Sequence, residues 1–167
     1  SVNVSARQMN RGSFPALLYA ILQEFDIPPS SLEIEITESS LQTLSRSRRF
    51  ISDCKAIGVY LAIDDFGTGY SHLAALRDLP VDRIKLDRAF LPIGQPRPND
   101  VALLNAIVAI ARAMNLQLTA EGIESIAQFE LVRRIGCDEA QGFWFSHPMP
   151  IEDLRALCEQ RPFEFSG

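Results

Sequence analysis

Two adjacent carboxylates close a short apolar run in the stretch YLAIDDFGTGYSHL, residues 60–73. At the end of a buried strand, Asp64 and Asp65 would repel each other unless a cation lay between them. A pair of divalent metals about 3.5–4 Å apart needs a bridging carboxylate with another ligand beside it. Asp64 and Asp65 are of the right type for that. Gly67 and Gly69 let the following loop turn sharply. Taken alone, the pair reads first as a turn or a helix cap.

Comparable positions along the chain are also polar. Asn3 lies in the first apolar run, VNV (2–4). Glu35, then Thr37 and Glu38, end the run LEIEI (32–36). Lys85 and Asp87 belong to RIKL (83–86) and its end, Glu121 follows LQLTA (116–120), and Gln141 lies in DEAQGF (138–143). A period of two sharpens the pattern. Val2 and Val4 face one way and Asn3 the other. Ile84 and Leu86 face the helices, so Lys85 and Asp87 point inward. Thr119 and Glu121 share a face. Asp65 breaks the alternation; if the strand ends at Asp64, the chain turns there and both carboxylates reach one place.

Convergent oxygens with one lysine suit hard divalent cations. Each residue also has a plain structural reading. Glu35 could be solvated, since Glu33 shares its face and has no other account. Lys85 and Asp87 could pair with each other. Glu121 could be a loop carboxylate and Gln141 a core amide. Six strand ends carrying polar residues in register point instead to a site at one mouth. His72, at a helix start, and His147, before Pro148, are not read as ligands. Arg46, Arg48 and Arg49 read as a solvated helix face, and QPRPND (95–100) as an exposed loop.

The elements that must position these residues alternate regularly. Strands at 2–4, 32–36, 60–64, 83–86 and 116–120, with a weak sixth in DEAQGF, are separated by amphipathic helices. One helix runs from about Phe14 to Phe25. The next, in LQTLSRSRRFISDCKAIG, is closed by Gly58. Leu73, Leu76 and Leu79 mark a third, stopped by Pro80. A long helix carries Val101, Leu104, Ile107, Val108 and Ala111 on one face. Ser125 and Gln128 predict a capping box, with Gly136 as the stop. A last helix, IEDLRALCEQ, ends before Pro162. Six βα units imply a parallel sheet with helices outside, either doubly wound or part of an eight-stranded barrel. No glycine-rich phosphate fingerprint follows the first strand, which weakens the doubly wound, dinucleotide-binding form. Both folds place their sites at the carboxyl ends of the strands.

Composition bounds the rest. The 167 residues suffice for one domain with a core, and 47% are hydrophobic. A net charge of -5 argues against a duplex nucleic-acid binder. It leaves room for a small phosphorylated ligand, because bound metals invert the local charge. Cys54, Cys137 and Cys158 are too widely spaced for a zinc motif or a disulfide frame. They read as reduced core or helix residues of a cytoplasmic protein. No apolar run is long enough to span a membrane and no signal peptide is visible.

SVNVSARQM, LEIEITES, LAIDDFGTGYSHLAALRDLPVDRIKLDRAFL, LTAEGIES and GCDEAQGFWFSHPMP together resemble the EAL domain family of cyclic di-GMP phosphodiesterases. The match covers nearly the whole chain in order. It implies an α/β fold, the family's modified TIM-type (β/α) barrel, here with about six βα units and incomplete. It implies hydrolysis of cyclic di-GMP to linear pGpG with Mg2+ or Mn2+, in bacterial second-messenger signalling. By resemblance, Asn3, Glu35 and Asp64 would bind one metal, and Asp64 and Asp65 the second. Lys85 would act on the attacking water and the phosphate oxygen. Glu121 would ligate a metal or contact that lysine, and Gln141 would bond near the water. Glu38 would anchor the loop after Asp65, which the family couples to dimerisation. Asp87 and Glu124 would contact substrate.

The Glu-Ala-Leu stretch itself, whose Glu is a family metal ligand, is absent. Residues 1–167 are therefore expected to be a single EAL-type domain lacking its first strands and helices. Its open sheet edges suit pairing, and the family implies a homodimer. The parent is expected to carry sensor or GGDEF domains and to be cytoplasmic, or tethered to the membrane. A cyclic di-GMP receptor without turnover, or a dimerisation module, is the alternative function.

Overall fold

The computed structural model describes residues 1–42, 44–67 and 76–160. Six strands form one parallel sheet in chain order: β1 (Val2–Asn3), β2 (Glu33–Thr37), β3 (Tyr60–Phe66), β4 (Arg83–Leu86), β5 (Gln117–Ala120) and β6 (Glu139–Ala140). A doubly wound sheet reverses its strand order at a switch point; this one does not, so the barrel reading holds. Among the described residues β1 and β6 each pair on one side only, so the sheet is not closed.

The helices are α1 (Ala6–Asn10), α2 (Phe14–Glu24), α3 (Leu44–Ile57), α4 (Pro98–Ala113), α5 (Ile126–Ile135) and α6 (Ile151–Gln160). Short α1 was not legible as a helix, although a Ser5–Gln8 capping box opens it. Gly58 and Gly136 close α3 and α5 in the left-handed conformation. The expected capping box of α5 is only half made. Ser125 Oγ accepts the Gln128 N–H, but Gln128 Oε1 accepts from Glu124 rather than from Ser125. Helix α4 begins at Pro98, inside the stretch expected to be loop. The helix expected before Pro80 falls mostly on residues 68–75, with Gly69, His72 and Leu73, outside the described residues, as does Pro162. Among the described residues no helix is long and apolar enough to cross a membrane.

Period two sorts each strand onto two faces. Ile34, Ile36, Leu61, Ile63, Ile84, Leu86 and Leu118 lie under the helices, each at most 1% exposed. Helix α4 adds Leu104, Ile107, Val108 and Ala111 to the same core, as its spacing predicts. Each such aliphatic side chain contributes about 1.5–3 kcal/mol. The opposite, inward face carries the polar residues.

At its amino-terminal end the sheet is laced by charge. Asp82 accepts the Leu61 N–H at 2.8 Å and the Lys55 ammonium at 2.8 Å, and Asp138 accepts the Leu118 N–H at 2.8 Å. Arg83 lies 2.9 Å from Glu33, pairs with Glu139, and donates to Thr119 and Gln117 at 2.8 Å each. This gives Glu33 its place: it is a bottom-layer partner of Arg83, two residues before Glu35.

The thiols test this packing. Burial pushes Cys54 up to about 12, and burial with the Asp138 charge takes Cys137 to about 11, while Cys158 is exposed. We expect a thiol reagent at pH 8 to label Cys158 rapidly, the half-buried Cys137 slowly and Cys54 only on unfolding. Rapid labelling of all three in the folded protein would contradict the core described here.

Candidate active site

Lys85 is the centre of the inward face. Its Nζ stands 2.8 Å from Glu35 Oε1, 2.6 Å from Glu121 Oε1 and 3.6 Å from Asp64 Oδ1. Lys85 and Glu35 are 5% and 4% exposed. Reaching Glu35 from β4 means crossing β3, a span of two strand spacings of about 4.8 Å each. The β3 residue in register with Glu35 is the small, fully buried Ala62. Glu35 is thus neither solvated nor idle, and Glu121 is more than a loop carboxylate.

The adjacent aspartates are explained by a bulge. Ile63 pairs with Ile84 but Phe66 pairs with Leu86, so β3 takes three steps where β4 takes two. The strand therefore does not end at Asp64, as the pattern suggested; it continues to Phe66 with one extra residue. Asp65 sits at φ +54°, a left-handed conformation that few non-glycine residues adopt, and its N–H donates to Asp64 Oδ1 at 3.0 Å. Such strain concentrates at functional sites. Asp65 itself is exposed, and the charges that act on it are those of Asp64, Asp87 and Lys85.

The remaining expected residues frame this centre. Asn3 lies on the edge strand, in register with Glu35. Glu38 is 5% exposed, and its Oε2 accepts the Gly67 N–H at 2.9 Å. Its Oε1 has no hydrogen-bond partner among the described residues. Gly67 is at φ +90°, and a Cβ there would meet the Phe90 ring at 2.2 Å. Asp87 does not pair with Lys85; it caps the 3-10 turn Arg88–Phe90 by accepting the Ala89 N–H at 2.8 Å. Gln141 is exposed, not a core amide, and its backbone bonds to Ala120 and Ile123. Asp87, Glu121, Glu124 and Gln141 line one cleft of about 260 Å³ with Arg88 and Phe143. Those last two were missed, although each lies within two residues of an expected one. The His147 ring lies tilted against Phe143, centroids 4.4 Å apart. Arg48 pairs with Asp78 at 3.2 Å, and Arg49 is solvated, as its helix face predicted.

Charge at the mouth is unbalanced: Glu35, Asp64 and Glu121 surround one ammonium, and Asp65 adds a carboxylate next in sequence to Asp64. Burial alone would push Glu35 up, but the Lys85 and Ser1 hydrogen bonds hold it below the usual carboxylate range. Burial and the Asp64 charge raise Glu121 against the pull of Lys85. Burial, Asp64 and Asp87 likewise raise Asp65. Burial disfavours the Lys85 charge, yet bonds to Glu121 and Glu35 hold it well above its ordinary value. The surplus of hard oxygens fits a divalent cation. Among the described residues, however, no three His, Cys, Asp or Glu side chains are arranged to hold one. The lysine stands where they converge.

Comparison with known proteins agrees with this architecture. The EAL domain model matches residues 1–148, and the chain belongs to the EAL domain family. Its fold is accordingly the α/β, TIM-barrel type, with six parallel strands. The chain is 39% identical over 151 residues to Escherichia coli K12 PdeR, a cyclic di-GMP phosphodiesterase, covering 90% of this chain and 23% of PdeR. It is 40% identical over 157 residues to Pseudomonas aeruginosa MucR, a bifunctional diguanylate cyclase/cyclic di-GMP phosphodiesterase, covering 93% of this chain and 23% of MucR. The solved PaMucR phosphodiesterase in complex with c-di-GMP superposes with a TM-score of 0.87 at 40% identity, over 92% of this chain and 68% of that one. The chain thus spans under a quarter of the length of either curated relative.

Proposed function

We propose that this domain is a metal-dependent phosphodiesterase that hydrolyses cyclic di-GMP to linear pGpG. One observation carries the reading: in an EAL family fold, a buried lysine gathers Glu35, Asp64 and Glu121 at the carboxyl ends of the strands. Asn3, Glu35 and Asp64 would hold one Mg2+ or Mn2+, Asp64 and Asp65 a second, with Glu121 joining either. Bound metals lower the pKa of a shared water and neutralise phosphate oxygens. The chain's residues do the positioning. Lys85 donates toward the phosphate oxygen and the water. Gln141 lies at the cleft mouth to orient that water. Asp87 and Glu124 accept from the N–H groups of a guanine. Glu38 fixes the start of the loop after Asp65. The water oxygen forms a new P–O bond, and the ester oxygen leaves with a proton.

The test is conversion of cyclic di-GMP by this chain with Mn2+, beside Glu35→Ala, with equilibrium dialysis of the nucleotide. We expect linear product from the first and at least a hundredfold less from the second. Equal rates, or no nucleotide binding, would overturn the assignment. A second reading, a receptor without turnover, is favoured by the absence of a metal-holding cluster among the described residues. Metal-independent binding with no product would select it. Light scattering tests the homodimer that we propose for both readings.

A further inference from the structure

Resting on the metal-dependent reading above, we propose that the Lys85 ammonium is the site's own stand-in cation. In the metal-free protein it holds Glu35, Asp64 and Glu121 together, and a divalent ion must displace it to bind. The geometry is that of an ammonium site. The oxygens of Glu35 and Glu121 lie 2.8 and 2.6 Å from Nζ, lengths of charge-assisted N–H···O bonds. Magnesium would draw the same oxygens to about 2.1 Å. The ammonium and a metal ion cannot both occupy the point between these three carboxylates, which accounts for donors of the right chemistry without a metal-holding cluster among the described residues.

The burial is consistent. The side chains of Lys85, Glu35, Asp64 and Glu121 are 6%, 5%, 15% and 20% exposed, so water screens their mutual repulsion poorly. Without a cation the three carboxylates would separate. The lysine keeps them close, at the cost of competing with the metal. Metal affinity is then set by this competition, and the displaced ammonium becomes available to an anionic substrate.

The test compares wild type, Lys85→Met and, as a control, Lys55→Met. Lys55 is also a half-buried lysine, paired with Asp82 at 2.8 Å at the other end of the sheet. Mn2+ binding is read by electron paramagnetic resonance without nucleotide, and Tm is read with and without Mn2+. Lys85→Met should lose roughly 10 °C in metal-free buffer. It should bind Mn2+ roughly tenfold more tightly than wild type and recover its Tm on binding. Lys55→Met should lose stability without any change in Mn2+ affinity. If wild type binds Mn2+ and Lys85→Met binds no more tightly, this proposal fails alone. If neither binds Mn2+, the metal-dependent reading fails with it. Should Lys85→Met not fold, the wild-type lysine ammonium resonances decide during a Mg2+ titration. The Lys85 signal should shift and lose exchange protection at saturation; an unchanged signal overturns the displacement.

Discussion

On the phosphodiesterase reading proposed above, Asp64→Asn is expected to slow cyclic di-GMP hydrolysis roughly a thousandfold while leaving the fold intact. The substitution is isosteric, and an amide oxygen can still accept the Asp65 N–H that closes the bulge. What it removes is a charge 3.6 Å from the Lys85 ammonium, one that also raises Glu121 and Asp65. One fewer carboxylate in a crowded acidic cluster should leave stability unchanged or slightly higher. The loss therefore belongs in kcat, with nucleotide binding nearly preserved. Steady-state kinetics beside a denaturant titration separate the two effects. A variant within tenfold of wild type would remove Asp64 from the chemistry.

The second large effect is expected from one methyl group. A Cβ on Gly142 would lie 2.1 Å from Ile123 O and 2.2 Å from Ile123 N. Those are backbone atoms and cannot rotate away. The Ile123 N–H donates to Gln141 O at 3.0 Å, and Ile123 O accepts the Trp144 N–H at 2.9 Å. Gly142→Ala must prise these strands of chain apart, breaking both bonds and shifting the loop that carries Glu121 and Glu124. We expect a cost of about 3 kcal/mol, read as a lower urea midpoint with an unchanged slope. Activity should fall as well, because the cleft lies between the separated segments. A midpoint indistinguishable from wild type would mean that the two loops are less tightly tied than described.

The inward charges were legible because strand alternation is a local rule. Glu35, Lys85 and Glu121 could be placed on one face from spacing alone, and their contacts agree. Arg83 and Glu33 obey the same rule, two residues from Lys85 and Glu35, and complementary charge was the available signal for their pairing. Arg88 and Phe143 gave no such signal, since neither sits on a strand and only folding brings them to the cleft. Asp87 illustrates the limit of periodicity: its face was extrapolated past the strand end, where a 3-10 turn takes over.

By itself the sequence determined the class of structure and the chemistry available to it. Six alternating βα units, buried aliphatic faces and oxygen-rich strand ends follow from local periodicity and side-chain type. Tertiary structure decided the rest, because the deciding distances join residues far apart in the chain. The uninterrupted strand order selected the barrel over the doubly wound sheet. The β3 bulge, created by register against β4, put Asp65 in a left-handed conformation that the alternation did not foretell. The lysine's pairing with Glu35 and Glu121 rather than the nearby Asp87 depended on the order of the sheet, which sets β4 beside β5 and two strands from β2, and on the turn that engages Asp87. Spacing in sequence orders donors along a strand; only packing of strands against one another fixes which donors share a cation.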